Sequence, residues 1–382
     1  MNDTSFPRLA LSVLSACYFS LAIGSLSVIG LLLPMREGLR ASTAEMAILV
    51  SVFSLTYAVS SPLSQVVVGD WDRRRLIAIG LSAIVIGVFM AAAAQTYATV
   101  MAGHILMGVG AGLCGPMASA AAAALVAPER RGAALGFAFS GMTIASVLGI
   151  PTITWLGDVF GWRPTLWLVG GFVALNAVAV MTLVPDHARG ARANLGEIVA
   201  VLTDRVLAPA ISVVGWQMAA QFATYSVITV YLTERFDLPV PWLPITLAAF
   251  GTGGILGNIL AARYADQLGA DRIISLSLIG TLLSLVGLQL SGGVLWLGLL
   301  FGLLWPITAL ALFAPQQERL ITLKPEAANL LLALNGAAIY LGLGLGSALA
   351  GLVTRWSGTD WLAAVSAALM VCGLAAYRIS KR

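Results

Sequence analysis

The sequence predicts an all-α integral membrane protein: twelve transmembrane helices in two six-helix bundles related by a pseudo-twofold axis. Three observations predict it. Of 382 residues, 59% are hydrophobic and 10% charged, with a mean hydropathy of +0.94. A soluble chain of that size needs far more polar surface, so lipid is the solvent for most of this one. The apolar residues fall into twelve runs, each near the roughly 20 residues that cross a bilayer core of about 30 Å. The chain also echoes itself with an offset near half its length.

The first run, 9–34, starts a few residues after Met1, shows no small-residue cleavage site and exceeds a signal-peptide core, so it reads as a retained helix. The second, 44–68, opens on Ser42-x-x-Glu45, a capping box that satisfies the free N–H groups of a helix start. The third and fourth cover 76–94 and 98–126. The fifth, 132–156, contains Pro151, which breaks the backbone ladder and supplies a bend. The sixth covers 164–184. A polar connection then separates an N-terminal bundle, 1–187, from a C-terminal bundle, 206–382, with 188–205 as the linker.

In the seventh run, 206–232, Gln217, Gln221 and Tyr225 recur every four residues and share one face. Amides are costly against lipid, so that face looks into a central cavity. The remaining runs are 243–265, 273–290, 293–315, 328–353 and 360–378. Tyr18, Asn258, Trp305, Asn335 and Tyr340 are further polar or aromatic groups at membrane depth, each a candidate for cavity lining or for interhelical hydrogen bonding. Such a cavity suits uncharged or weakly cationic solutes and suits multiply charged ones poorly.

The internal echo has three parts: Asp70 with Asp266, Pro128-Glu129 with Pro325-Glu326, and Ser140-Gly141 with Asn335-Gly336, at offsets of 196, 197 and 195. Charge gives the orientation. With both termini cytoplasmic, sixteen of the 21 Lys and Arg residues lie on inner segments, leaving Arg36, Arg40, Arg163, Arg235 and Arg355 outside, the bias of the positive-inside rule. The basic balance therefore points to membrane orientation and not to nucleic acid. Cys17, Cys114 and Cys372 lie far apart in apolar runs and read as small packing residues. The sequence has no phosphate-binding G-x-x-x-x-G-K-[ST] loop, no metal-ligand cluster and no nucleophile-base pair, so neither an ATPase nor an enzyme is expected, and no cofactor.

Five stretches carry a resemblance: GLLLP at the end of helix 1, GDWDRRRL after helix 2, GHILMGVGAG in helix 4, SGMTIASVLGIPTITWLGDVFGWR in helix 5, and PQQERLITLKPEAANLLLALNGAAIYLGLGLGSALAG into helix 11. In these the chain resembles the major facilitator superfamily, specifically its bacterial drug and sugar efflux branch of proton antiporters. The resemblance implies a multi-pass protein of the bacterial inner membrane, and a pathway contained within one chain suits a working monomer. It would export a small organic solute by alternating access, with the proton gradient as energy source. Uptake or uncoupled facilitation stays open, as does a transport-dead receptor. It also implies that the charged turn after helix 2 is a conformational latch built from Asp70 or Asp72 with Arg73 and Arg74, and in the second half from Asp266 and Arg272. Gly69 stands where the family carries its acid. His104 occupies the position of a family arginine linked to proton coupling. A buried histidine is either such a titrating group or hydrogen-bonded within the bundle. The acid that family antiporters often carry in helix 1 is missing here.

Overall fold

The computed structural model describes residues 7–127, 130–185 and 194–381; within its helices the side chains of Ala265, Asp266, Ala328 and Asn329 are excluded. Pro128-Glu129, the first part of the linker and the Asp266 carboxylate thus lie outside the described residues.

Twelve spans are built from α-helices numbered here in chain order. The first is α1 (Arg8–Gly30) continued by α2 (Leu32–Leu39); α3 (Thr43–Val68), α4 (Arg73–Ala93) and α5 (Tyr97–Ala124) are the next three. The fifth is α6 (Arg131–Ile144), a π-turn (Ala145–Gly149) and α7 (Ile150–Phe160), and the sixth is α8 (Trp162–Leu183). A short helix, α9 (Leu195–Thr203), precedes the seventh span, α10 (Leu207–Tyr225) plus α11 (Ile228–Phe236). The last five are α12 (Leu243–Leu268), α13 (Ala270–Leu290), α14 (Leu295–Leu310) with α15 (Phe313–Leu323), α16 (Ala328–Ser357) and α17 (Leu362–Ile379). Because α9 meets α10 at 83°, it is no part of the spanning rod; α10 and α11 together rise about 45 Å at 1.5 Å per residue, enough to cross alone.

The capping box forms as read: Glu45 N–H donates to Ser42 Oγ at 3.2 Å and Ser42 N–H to Glu45 Oε2 at 2.7 Å. The backbone ladder of span 5 is interrupted by a π-turn one turn before its proline. Ile150 N–H reaches back to Ala145 O, closing the π-turn. The next N–H in that ladder would belong to Pro151, which has none, so the carbonyl of Ser146 is left over.

The same packing pairs recur in both halves. Spans 3 and 4, 2 and 4, 3 and 6, 1 and 5, and 1 and 6 pack in the first; spans 9 and 10, 8 and 10, 9 and 12, 7 and 11, and 7 and 12 pack in the second. The register of the repeat differs from the sequence reading in one place. A side chain at Gly141 would overlap the Ser15 carbonyl in span 1, and one at Gly342 would overlap the Gly215 carbonyl in span 7. Gly342, and one turn on Gly346 against the Ala219 carbonyl, thus stand in the packing role of Gly141. Gly336, paired with Gly141 by sequence, has nothing within 4 Å.

The halves meet along two seams that the pseudo-twofold exchanges, span 2 with span 11 and span 5 with span 8, and at the tips α2 and α11. All three lie toward the face away from the termini. There Arg36 pairs with Glu234 at 3.3 Å, and side chains at Gly344 and Gly351 would run into Leu55 and the carbonyl of Ala44. On the termini side, α6 packs within the first half and α15 within the second. The extensive packing between the halves thus lies toward the far face, beside grooves of 820 and 610 Å³, and the termini-side ends, which lack packing of that extent, leave a gap between them.

Candidate functional site

The gap is walled on the first half by spans 1, 2 and 5. Residues on span 5 that share the face of Ser146 and Val147, one and two turns nearer the termini, are Phe139 and Thr143, both exposed. Phe139 stands against Tyr18, ring centroids 4.6 Å apart. Tyr18 is buried, and its hydroxyl donates to Gly115 O at 2.9 Å and also bonds Ser119 Oγ. Tyr57 of span 2 stacks on Tyr340 of span 11 at 3.6 Å and 24°, so an aromatic pair bridges the halves at mid-membrane. Tyr18 and Tyr340 thus both reach the interior, as expected, each with its ring already partnered.

On the second half, Tyr225, Phe250 and Trp305 form a cluster from spans 7, 8 and 10. Tyr225 stacks on Phe250 at 4.5 Å and 24°, and Trp305 stands edge-on to both, at 6.5 Å and 5.3 Å. Three aromatic rings at these separations gain from edge-to-face and offset contacts beyond plain burial. The indole Nε1 of Trp305 and the Oε1 atoms of Gln217 and Gln221 are buried with no protein partner, leaving one donor and two acceptors beside the rings. An unmade hydrogen bond at such depth is unfavourable, so these atoms favour a ligand or water that can complete them.

The amide stripe of span 7 faces span 10, not lipid. Gln217 Nε2 donates to Ala309 O at 2.5 Å, and from the opposite side Gln316 Nε2 donates to Ala210 O at 2.7 Å. Spans 7 and 10 are stitched twice. The Tyr18 bond to Gly115 O stitches spans 1 and 4 once, so each half fixes its first and fourth spans by side chain to carbonyl. Asn258 is exposed, two turns below Gly251 on the face of span 8 that meets span 5, and so borders the gap. Asn335 is the exception. It is buried on the face of span 11 that carries Ala338 and Gly342 against span 7, and its Oδ1 has no partner there, so it belongs to a helix interface within one half.

His104 is buried between spans 2 and 4, bracketed by the Tyr97 hydroxyl on Glu45 O and by Gly108 against Phe53 O. Its Nδ1 lies 2.8 Å from Val100 O, one turn back in its own helix. A carbonyl accepts only, so Nδ1 carries the proton. Nε2 is buried with no protein partner.

In the charged turn, Asp72 caps its own helix, accepting from Arg75 N–H at 2.8 Å, which ties it locally. Arg73 Nη1 donates to Ala120 O near the C-terminal end of α5 at 3.1 Å, a cation where the helix dipole favours one. Asp70 and Arg74 lie half-buried on the same turn. Arg272 is exposed; the corresponding cluster in the second half centres on its neighbour Asp271. That carboxylate meets Arg319 at 3.3 Å and Lys381 at 3.6 Å and accepts from the Tyr377 hydroxyl at 2.9 Å. Sequence reading passed over Asp271 and Arg319 because their pairing joins spans 9 and 10 across 48 residues, and nothing in either stretch announces the other. Tyr57, Phe139 and Phe250 were missed because an aromatic in an apolar span carries no mark of which side it faces.

Residues 14–320 match the family model described as Major Facilitator Superfamily. The chain is 26% identical over 353 residues to the inner membrane transport protein YdhP of Escherichia coli K12, covering 91% of this chain and 89% of that one. It is 27% identical over 320 residues to a chloramphenicol resistance protein of Streptomyces lividans, covering 82% and 76%. Among solved structures it superposes on an inward-facing, unoccupied bacterial homologue of the human lysosomal transporter Spinster with a TM-score of 0.77, at 15% identity and over 100% and 98% of the two chains.

Proposed function

The chain belongs to the Major Facilitator Superfamily, and from that premise we propose that it exports a small organic solute of the bacterial cell by alternating access, in exchange for protons. The observation that carries this reading is the pair of aromatic clusters, Tyr225–Phe250–Trp305 and Tyr57–Tyr340, in the region between the two halves. The flanking groups are neutral amides and hydroxyls. Such a wall holds flat, uncharged or weakly cationic molecules by stacking and cation–π contact and gives multiply charged ones no counter-charge. Drug-like aromatic compounds suit it better than sugars, with nucleosides between. The arginine bias puts the termini in the cytoplasm, so the gap faces the cytoplasm and a solute enters it from inside the cell. The whole pathway lies within one chain, which suits a working monomer.

The name of the Streptomyces relative makes chloramphenicol the first probe. Purified protein is screened for thermal stabilisation by chloramphenicol, nucleosides and sugars; a ligand that binds the folded form only raises its stability by mass action. Any solute that stabilises is followed into inverted vesicles carrying an imposed pH gradient. Gradient-driven accumulation supports export by antiport. Binding without flux indicates a receptor.

Uncoupled facilitation is favoured by one observation: His104 already gives its Nδ1 proton to its own helix, and among the described residues no carboxylate stands at mid-membrane. Flux that follows the solute gradient and ignores pH identifies that behaviour.

A further inference from the structure

The stretch joining the halves reads as a polar linker, yet its second part folds as α9, and its faces differ sharply. Around the helix, Val201, Ile198, Leu202, Leu195 and Val199 form one apolar arc, while Thr203, Gly196, Ala200 and Glu197 fill the opposite side. Half of the apolar arc is already used. Val201 is buried and Ile198 packs beside it, in a cluster with Leu207, Ile211, Leu320 and Leu334 at the termini-side end of spans 7, 10 and 11. The other half, Leu195, Val199 and Leu202, is 60%, 57% and 52% exposed at spacings of four and three residues. That places three large aliphatic side chains in one stripe, each more than half uncovered by the described residues.

The covering surface follows from the geometry of the junction. Asp204 Oδ1 accepts from both Val206 N–H and Leu207 N–H at 2.8 Å, capping α10 and fixing the corner. The corner is 83°. Since α10 spans the membrane, α9 runs along its surface, at the depth where span 7 begins. The exposed stripe adjoins the partly buried Ile198 and the buried Val201 on the same apolar arc, and Arg205 follows at the helix end, where a cation meets lipid headgroups. We infer that α9 is an interfacial helix whose Leu195–Val199–Leu202 stripe inserts into the cytoplasmic leaflet while Ile198 and Val201 hold it to the C-terminal half. It would then act as a skid: when that half tilts, α9 tilts with it along the membrane surface.

The test uses the full chain with Cys372→Ser, which removes the exposed thiol, reconstituted in vesicles of phosphatidylcholine and phosphatidylglycerol. Nitroxides are placed at Val199→Cys and, on the polar arc, at Glu197→Cys. Collision with oxygen and with a neutral nickel chelate is read for each. The expected result is an oxygen-to-nickel ratio several-fold higher at position 199 than at 197, together with strong quenching of a fluorophore at 199 by nitroxide-bearing lipid. Equal ratios would place the stripe in water and overturn the inference. Low collision with both reagents would mean a protein cover and overturn it equally; spin–spin broadening that grows with protein density in the vesicle would identify that cover as a second copy. Both substitutions fall on exposed side chains away from the gap, so loss of fold is not the expected outcome, and a melting curve matching the Cys372→Ser parent verifies it.

Discussion

Replacing Gly251 by leucine tests the seam between spans 5 and 8. A Cβ at Gly251 would lie 2.7 Å from the carbonyl oxygen of Ser146 and 3.0 Å from its carbon and from Val147 Cα. Ordinary Cβ contacts start near 3.4 Å, so the helices must part by at least 0.4–0.7 Å for alanine and by more for leucine. All three obstructing atoms are backbone, so no rotamer change relieves the clash. Overpacking of this kind costs about 1–3 kcal/mol. The cost is incurred only while the seam is closed, so it acts as a differential energy between access states and shifts their ratio by about 5- to 150-fold toward the state open at the far face. The assay is a distance distribution between nitroxides at Arg40 and Val240, which border the 610 Å³ groove where the halves meet on that face. Gly251→Leu is expected to populate a longer distance, with Gly251→Ala intermediate. Gly302→Leu is the control, because nothing lies within 4 Å of that position. An unchanged distribution in a well-folded Gly251→Leu protein would refute the seam as a state-dependent contact.

Three other outcomes are expected. His104→Gln keeps a side chain able to donate to Val100 O but cannot titrate, so gradient-driven flux falls to the uncoupled level while solute binding persists; full coupling in this variant would exclude His104 as the proton carrier. Gln217→Leu removes the bond to Ala309 O and leaves that carbonyl without its interhelical donor, lowering stability by about 1–2 kcal/mol, read as a lower melting temperature in detergent. Asp204 has its carboxyl held below the ordinary range by the backbone N–H groups of Leu207 and Val206. A depressed folded-state value gives stability that is present above the unfolded value of about 3.9 and is lost as pH falls through the folded one. The α9–α10 corner should therefore hold throughout the neutral range and loosen only in acid, and Asp204→Ala should show the loosened corner at pH 7 by mobility of a spin label at Val199.

Hydropathy made the spans legible because a bilayer demands long, uninterrupted apolar helices, and all twelve runs overlap helices in the structure. The Ser42–Glu45 box and the broken backbone ladder near Pro151 were legible for the same reason: each is a local rule about backbone N–H groups. The span 7 stripe was legible as a face, but not in its partner, since period alone cannot say that Gln217 would meet Ala309. Asn335 shows the converse limit: a polar residue at depth marks an interior, and that interior is a helix–helix contact within one half. The α9 helix escaped because its nine residues fall inside a stretch read for its charge, not for period. The shift of the repeat away from Gly336 escaped because glycine-rich spans offer several alignments, and only contact with the span 7 carbonyls of Gly215 and Ala219 points to Gly342 and Gly346.

The two seams occupy equivalent places in the two halves, yet their contacts differ. At the span 5–8 crossing Gly251 leans on main chain beside a proline, whereas along the span 2–11 crossing Gly344 leans first on the side chain of Leu55 and Gly351 on the carbonyl of Ala44. Main chain cannot yield, while a leucine can change rotamer. A larger residue should therefore be least disruptive at Gly344 and most disruptive at Gly251. Tilting of the halves would then be stiff at both crossings wherever backbone meets backbone and forgiving only where Leu55 intervenes.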